Sequence, residues 1–586
     1  MVASDQVAAP QGAAVPLLRE LPSGAVFSAL LRHRRAIASA LFFSAVINLL
    51  YLSPAIYMLQ IYDRVLPSQN IATLIALSGL LLGLYVFVSL LETTRASTMA
   101  RIGDALEMDL TPRVYESTFQ RQLRTPQAQA NQPLWDLNQI RQFFSGTGCS
   151  ALMDLPWFPI FIVAVFLLHP TLGWFVTLGS VVLLVSSVIS ERIARPGLSQ
   201  ASDLSLAAQG LAASQLRNVE VITALGMLPA LAGRWKALQT RARTLQRQVV
   251  DQISAVGGIS RLIRLTIQSG TLGIGAYLAI LGEMTAGSMI AATILSTRAL
   301  APLEALITNW KSMLASLSSQ QRIDRLLREH PEPLQGMSIP RPRGVITAEN
   351  IFVSAPTNRS FILKGLSFEF QPGEAVGIIG PSAAGKSTLL RTILGIWPTA
   401  LGKMRIDGAE LRSWPRETLG PAIGYLPQDI ELFGGTVGEN IARFGELDSE
   451  RIIEATNACG LHGMMLRLPN GYDTEIGEGG ITLSAGQRQL IGLARAVYGR
   501  PVVIALDEPS SNLDEVGDQV LAQTISVAKS WGSTVIVVSH DPKLLKLMDR
   551  LMMIFDGQIR EFGPSAEVIA AIKKRSIKPA RAEKAH

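Results

Sequence analysis

The run Gly380-Pro-Ser-Ala-Ala-Gly-Lys-Ser-Thr388 decides how the rest of the chain reads. It fits G-x-x-x-x-G-K-[S/T], the pattern of a phosphate-binding loop. Glu374 to Ile379 before it reads as a short buried strand, and Lys386 to Gly395 after it as a helix. Strand, loop and helix in that order aim successive backbone N–H groups and a positive helix end at a phosphate chain. The binding set is then Gly380, Pro381, Ser382, Ala383, Ala384, Gly385, Lys386, Ser387 and Thr388. Lys386 can reach the β- and γ-phosphates of a nucleotide, and Ser387 can hold magnesium. A glycine-rich turn matching by chance would lack the flanking strand and helix.

At 586 residues the chain is too long for one domain. Its mean hydropathy of +0.29 is high, and the apolar runs crowd between about Ala36 and Ile307. The formal net charge of +7 points to nucleic acid or a membrane surface. No aromatic-basic interleaving or recognition-helix motif is present, which leaves the membrane and excludes nucleic acid. Cys149 and Cys459 lie far apart and in no metal-ligand spacing, so they read as thiols. Residues 1–25 carry no signal-peptide pattern and read as disordered.

The membrane half holds six apolar runs: about Ala36–Ile61 with a kink at Pro54, Ile71–Leu91, Leu155–Leu168, Leu172–Ile189, Gly257–Leu281 and Met284–Ile307. Their links alternate short and long. Tyr62–Asn70, His169–Thr171 and Gly282–Glu283 are short, and Arg64 is their only Arg or Lys. Arg and Lys concentrate in the N-terminal segment and the two long links. By the positive-inside rule the N-terminus, both long links and the C-terminal half are cytoplasmic. The long links have helical apolar spacing, so the membrane helices continue into the cytoplasm. Each link breaks near its middle, at Arg124-Thr-Pro-Gln and at Leu225-Gly-Met-Leu-Pro. A short helix at each break either rests on the phosphate-binding C-terminal half and transmits its motion, or is a hairpin turn without mechanical role. Arg261, Arg264 and Arg298 lie in or beside spans; they snorkel, or they form a basic vestibule for an acidic cargo. A Pro- and Gly-rich linker, 329–344, separates the membrane domain, 26–328, from the C-terminal half.

In the C-terminal half, Val502-Val-Ile-Ala-Leu-Asp-Glu508 is an apolar strand ending in two carboxylates. That places Asp507 toward magnesium and Glu508 toward an attacking water. Gln428, in Gly424-Tyr-Leu-Pro-Gln-Asp429, is a neutral amide able to sense both metal and water. His540 ends a further apolar strand and can donate to a γ-phosphate.

These motifs, with Leu483-Ser-Ala-Gly-Gln487 and Ser511-Asn-Leu-Asp514, make the region from about Val345 to Ile569 resemble an ABC transporter nucleotide-binding domain. The resemblance implies an α/β P-loop ABC domain at 345–570, a basic tail at 571–586, ATP and Mg2+ as cofactors, and a head-to-tail dimer. It implies that Ser484, Gly486 and Gln487 of one subunit face the γ-phosphate held by the other. Asp514 stands at the D-loop position, and Gly477-Glu-Gly-Gly480 resembles the cross-contact loop of exporters. Ala485, Ala383 and Ala384 depart from the family pattern, as does Ala355 where an adenine-stacking aromatic is expected; Phe361 is a poor substitute.

An α-helical membrane domain of six transmembrane helices with long cytoplasmic extensions, fused to one ATPase domain, resembles ABC half-exporters and implies a homodimer. Tyr62-Asp-Arg-Val-Leu-Pro-Ser, Asp154-Leu-Pro-Trp-Phe-Pro and Gly424-Tyr-Leu-Pro-Gln-Asp-Ile-Glu-Leu-Phe433 look like the type I secretion ATPases. That family implies a bacterial inner-membrane exporter working with a membrane-fusion (adaptor) protein and a TolC-like outer-membrane channel. Its cargo is an unfolded protein with a C-terminal signal. The short N-terminus without cysteine resembles the PrtD-like, protease- and lipase-secreting branch. An exporter of lipid or small hydrophobic molecules, or an ATP-gated channel or sensor, shares the architecture; intact Glu508 and His540 speak against the last. The basic tail touches anionic lipid or is simply solvated.

Overall fold

The computed structural model describes residues 24–124, 131–331, 339–355, 360–477 and 483–576. The N-terminal segment before 24, the break of the first long link at 125–130, parts of the linker, the turn at 356–359, positions 478–480 of the glycine-rich loop and the tail beyond 576 lie outside them. The chain divides into two units: Met1–Arg121 with Ala128–Pro331, and Gln122–Gln127 with Glu332–His586.

The first unit is helical. Helices α1 (Ala25–Arg32), α2 (Arg34–Leu50) and α3 (Ser53–Gln60) are followed by a π-turn at Ile61–Val65. Pro54 sits in the first turn of α3, where its missing N–H costs nothing. The first link is shorter than its polarity predicts. Helix continues through Tyr62 to Ser68 and turns at Gln69, which adopts a left-handed φ of 50°. The reason is tertiary: Asp63 accepts from Thr285 Oγ1 (2.7 Å) and the Gly287 N–H (3.1 Å), holding this end on the start of another helix.

Helices α4 (Ile71–Arg124), α5 (Gln132–Ser145), α6 (Thr147–Asp154), α7 (Phe158–Leu168), α8 (Pro170–Arg217), α9 (Val219–Ala224), α10 (Leu228–Ile280) and α11 (Ala286–Glu329) complete the unit. At 54 residues, α4 is about 80 Å long, far more than the roughly 30 Å hydrocarbon core requires. The second long link does break at Gly226, which takes a positive φ between α9 and α10. Among the described residues, Arg34–Ser68, Ile71–Arg124, Thr147–Leu168 and Ala286–Glu329 are long and apolar enough to cross a membrane. The fourth apolar run lies on α8, whose Pro170–Ser186 part is a shorter apolar helix, and the fifth on α10.

Exposed Ile71, Ile75, Leu82, Val86 and Leu90 on α4 form the apolar surface that lipid would solvate. Phe161, Val165, Leu172, Val176, Leu183, Ile267 and Leu300 form the interior. Close approach of α8 and α10 depends on glycine: a Cβ on Gly179 would stand 2.5 Å from Ile267 Cδ1. Among the described residues of this unit, Arg95 and Asp154 form a largely buried charge pair. Arg95, 7% exposed, reaches Asp154 Oδ1 at 2.6 Å, and that oxygen also accepts from Ser44 (2.7 Å) and Asn48 (2.8 Å). A buried charge is held only with such partners. Of the three span arginines, Arg264 pairs with Glu304 at 2.6 Å and Arg298 lies 4.0 Å over the Tyr51 ring, while Arg261 is exposed. Cys149 and Cys459 are buried free thiols.

The second unit is α/β. Strands β1 (Ile346–Ser354), β2 (Phe361–Phe370), β4 (Leu401–Ile406) and β5 (Ala409–Glu410) form an antiparallel sheet in the order β2-β1-β4-β5. A second sheet contains β3 (Ala375–Ile379), β6 (Ile423–Leu426), β7 (Val503–Asp507), β8 (Thr534–Val538), β9 (Arg550–Phe555) and β10 (Gln558–Pro564), in the order β10-β9-β3-β8-β7-β6. From β9 to β6 every pairing is parallel. Strands β3, β7 and β8 are buried at every position, as continuous apolar runs flanked on both faces should be. Parallel strands present their carboxyl ends along one edge, where such sheets bind ligands.

Candidate nucleotide site

That edge brings separated motifs together. Gly380 follows β3, Gln428 follows β6, Asp507 ends β7, and Ser539-His540 follows β8. Register sets the level: Val538 pairs with both Ile378 and Asp507, and Leu426 with Leu506. Gln428 and Glu508, each two residues beyond a paired leucine, therefore meet. Gln428 Nε2 donates to Glu508 Oε2 at 3.0 Å.

The phosphate loop runs from β3 into helix α12 (Lys386–Ile393). Gly380 is obligatory, since a Cβ would fall 2.1 Å from the Ile554 carbonyl oxygen. Gly385 has φ +100°, and Ala383, at φ 63°, is a non-glycine in the left-handed region. Pro381, Ser382 and Ala383 are exposed at the rim; Ala384, Gly385, Lys386 and Thr388 are buried beneath. Lys386 Nζ donates to the carbonyls of Gly380 (2.7 Å) and Pro381 (3.0 Å). Burial pulls its ammonium below the usual lysine range, partly opposed by Glu508 and Asp507.

Ser387 Oγ donates to Asp507 Oδ1 at 3.2 Å. Asp507 is 1% exposed, and its other oxygen, Oδ2, is buried without a hydrogen-bond partner. Burial pushes its carboxyl above the ordinary carboxylate range, with the Ser387 hydrogen bond and Arg391 opposing. An unpartnered carboxylate oxygen beside a serine hydroxyl suits a small hard cation with oxygen ligands. Among the described residues no group of three His, Cys, Asp or Glu side chains could cage a metal, so most ligands would come from substrate and water. Glu508 holds φ +48°, fixed by its N–H to the Val538 carbonyl at 2.9 Å. Strain of this kind needs a rigid surround and clusters at functional sites. His540 is exposed at the same edge.

The signature residues stand elsewhere. Ser484 caps helix α13 (Ala485–Val497): its Oγ accepts from the Gln487 N–H (3.2 Å), and Gln487 Oε1 accepts from the Ser484 N–H (2.9 Å). Asp514 caps helix α14 (Glu515–Ser530) by accepting from the Gly517 N–H at 2.8 Å. Among the described residues no hydrogen bond joins Ser484, Gly486, Gln487 or Asp514 to the phosphate loop. Ala355 carries no ring, and Phe361 packs edge-on against Phe352 with centroids 5.4 Å apart. Gln489, which sequence reasoning passes over, is buried beside these residues and its Nε2 donates to the Pro509 carbonyl. Its signal is an amide one turn after Gly486 in an otherwise apolar helix stripe.

Residues 363–511 match the ABC transporter family, and residues 37–303 the ABC transporter transmembrane region. A solved bacterial Atm1-family ABC exporter with ATP bound superposes with a TM-score of 0.79 over 94% of this chain and 99% of its own, at 21% identity, a likeness of fold. An ABC exporter membrane domain fused to an ATPase that binds and hydrolyses ATP to drive transport is thus a multi-pass membrane protein. The type I secretion system ATP-binding protein PrsD of Rhizobium meliloti is 43% identical over 531 residues, 90% of this chain and 91% of its own. Cyclolysin secretion/processing ATP-binding protein CyaB of Bordetella pertussis is 27% identical, covering 93% and 77%. Leukotoxin translocation ATP-binding protein LktB of Mannheimia haemolytica is 28% identical, covering 92% and 77%. The chain belongs to the type I secretion system ATP-binding proteins of the ABC transporter family.

Proposed function

We propose that this protein exports an unfolded protein with a C-terminal signal across a bacterial inner membrane, driven by ATP. The observation that carries the reading is the 43% identity to a type I secretion ATP-binding protein, spread over 90% of the chain. Six spans, domains bounded at 26–328 and 345–570, and an ATPase half in the cytoplasm complete the proposal. Two copies form a homodimer, and an adaptor protein and an outer-membrane channel continue the route.

In the mechanism, Lys386 and the loop N–H groups hold the phosphates. Asp507, Ser387 and Gln428 would hold Mg2+, which when bound neutralises charge on the phosphates. Glu508 takes the proton of the attacking water, and Gln428 orients the Glu508 carboxylate. His540 donates to the γ-phosphate, and Ser484, Gly486 and Gln487 of the partner copy close over it, with Asp514 at the interface. The orphaned Asp507 Oδ2 and the Gln428–Glu508 hydrogen bond support these roles.

The test is the purified protein in lipid vesicles, with ATP hydrolysis measured while peptides from C-termini of secreted proteins are added. A peptide-specific change in turnover is the expected result. Indifference to every peptide, together with stimulation by lipids or small hydrophobic molecules, would replace the protein cargo with a hydrophobic one.

A further inference from the structure

Gln489 follows Gly486 by one turn of α13, on a face continued by Leu493 and Ala496. It is 2% exposed. Its Nε2 donates to the carbonyl of Pro509, the residue after Glu508, and its Oε1 is buried without a partner. The same face meets the same segment again, because a Cβ on Gly486 would lie 3.3 Å from the Asn512 carbonyl oxygen. Two contacts therefore join the start of α13 to the residues just after Glu508. On the other side, Glu508 is held by the Val538 carbonyl, and the Ser511 N–H closes a turn onto the Glu508 carbonyl at 3.2 Å.

Glutamine is a poor filler here. Methionine or leucine would occupy the space without burying an unpartnered side-chain carbonyl, but would take this donor from the Pro509 carbonyl. What glutamine adds is a donor aimed at the backbone beside a residue in strained conformation. We propose that Gln489 is a positioning residue that sets the Glu508 carboxylate through Pro509 and so links the signature loop to the hydrolytic site of its own chain. In the paired arrangement the signature loop faces the partner's nucleotide, so Gln489 makes turnover at one site depend on occupancy of the other. The inference rests on the proposed pairing of two copies and on the base role proposed for Glu508.

The full-length protein in lipid vesicles tests it. Gln489→Met keeps the volume and removes the donor. Turnover falls about ten-fold, KM for ATP stays within about two-fold, and the Hill coefficient for ATP moves toward one. Gln489→Leu, which is also apolar and removes the donor, does the same, so poor folding of either variant leaves the other decisive. The double variant Glu508→Gln with Gln489→Met is no slower than Glu508→Gln alone, since Gln489 acts through Glu508. Unchanged kcat, a rise in KM alone, or a further loss in the double variant overturns the proposal. A Glu508→Gln protein with normal turnover overturns the base assignment instead.

Discussion

Ser387 Oγ donates to Asp507 Oδ1 across 3.2 Å, tying the first turn of a helix to the end of a strand 120 residues later. The contact leaves the second Asp507 oxygen buried and unpartnered. A carboxylate oxygen buried without a partner costs stability, and its place beside a serine hydroxyl suits a cation.

Asp507→Asn should expose that cost. Burial raises the Asp507 pKa, so the folded protein holds this proton more tightly than the unfolded chain. The destabilisation is absent below the unfolded carboxylate pKa of about 4 and complete above the raised folded value. Without nucleotide or magnesium, the variant should melt higher than the parent at neutral pH, and the gap should close as pH falls. Its Mg2+-dependent hydrolysis should be lost. An equal or lower melting temperature at neutral pH would contradict the assignment.

Glu508→Gln should bind ATP with near-parental affinity and lose turnover by at least about 100-fold, as removal of a general base does. Nucleotide binding and phosphate release, measured on the same preparation, separate the two effects. Near-normal release would remove Glu508 from that role.

Lys386→Ala deletes the ammonium held over the loop carbonyls. A charged hydrogen bond is worth about 1.5–3 kcal/mol, so nucleotide affinity should fall by roughly 10- to 150-fold. Titration with a fluorescent ATP analogue measures this, and an affinity within about two-fold of the parent would contradict it.

In the membrane domain, Asp154→Leu should destabilise by about 3–5 kcal/mol, because Arg95 is left buried without its anion. Adding Arg95→Met should recover most of the loss. Folded yield and melting in detergent report both outcomes, and a double variant no better than the single one would show that the pair is not the source.

Arg264 and Glu304 can be exchanged. Arg264→Glu alone places two acids together and should lower folded yield. Arg264→Glu with Glu304→Arg should restore it, as their ion pair at 2.6 Å requires. Failure of the swap to rescue would mean that Arg264 has another obligatory partner.

By itself the sequence determined what local chemistry can write. Periodicity and length marked the helices and buried strands, and glycines at fixed spacing marked the phosphate loop. Two adjacent carboxylates after an apolar strand marked the hydrolytic pair. Pairings between distant positions have no local signal, so the tertiary structure alone decided them. The parallel register sets Gln428 beside Glu508. The fold buries Arg95 with Asp154, 59 residues apart, and turns Gln489 toward Pro509. It also lets Asp63 extend helix where polarity predicted a link, because a helix start far along the chain offers its N–H to that carboxylate. Each is a buried polar group that must find a partner, and which partner it finds depends on how the elements pack.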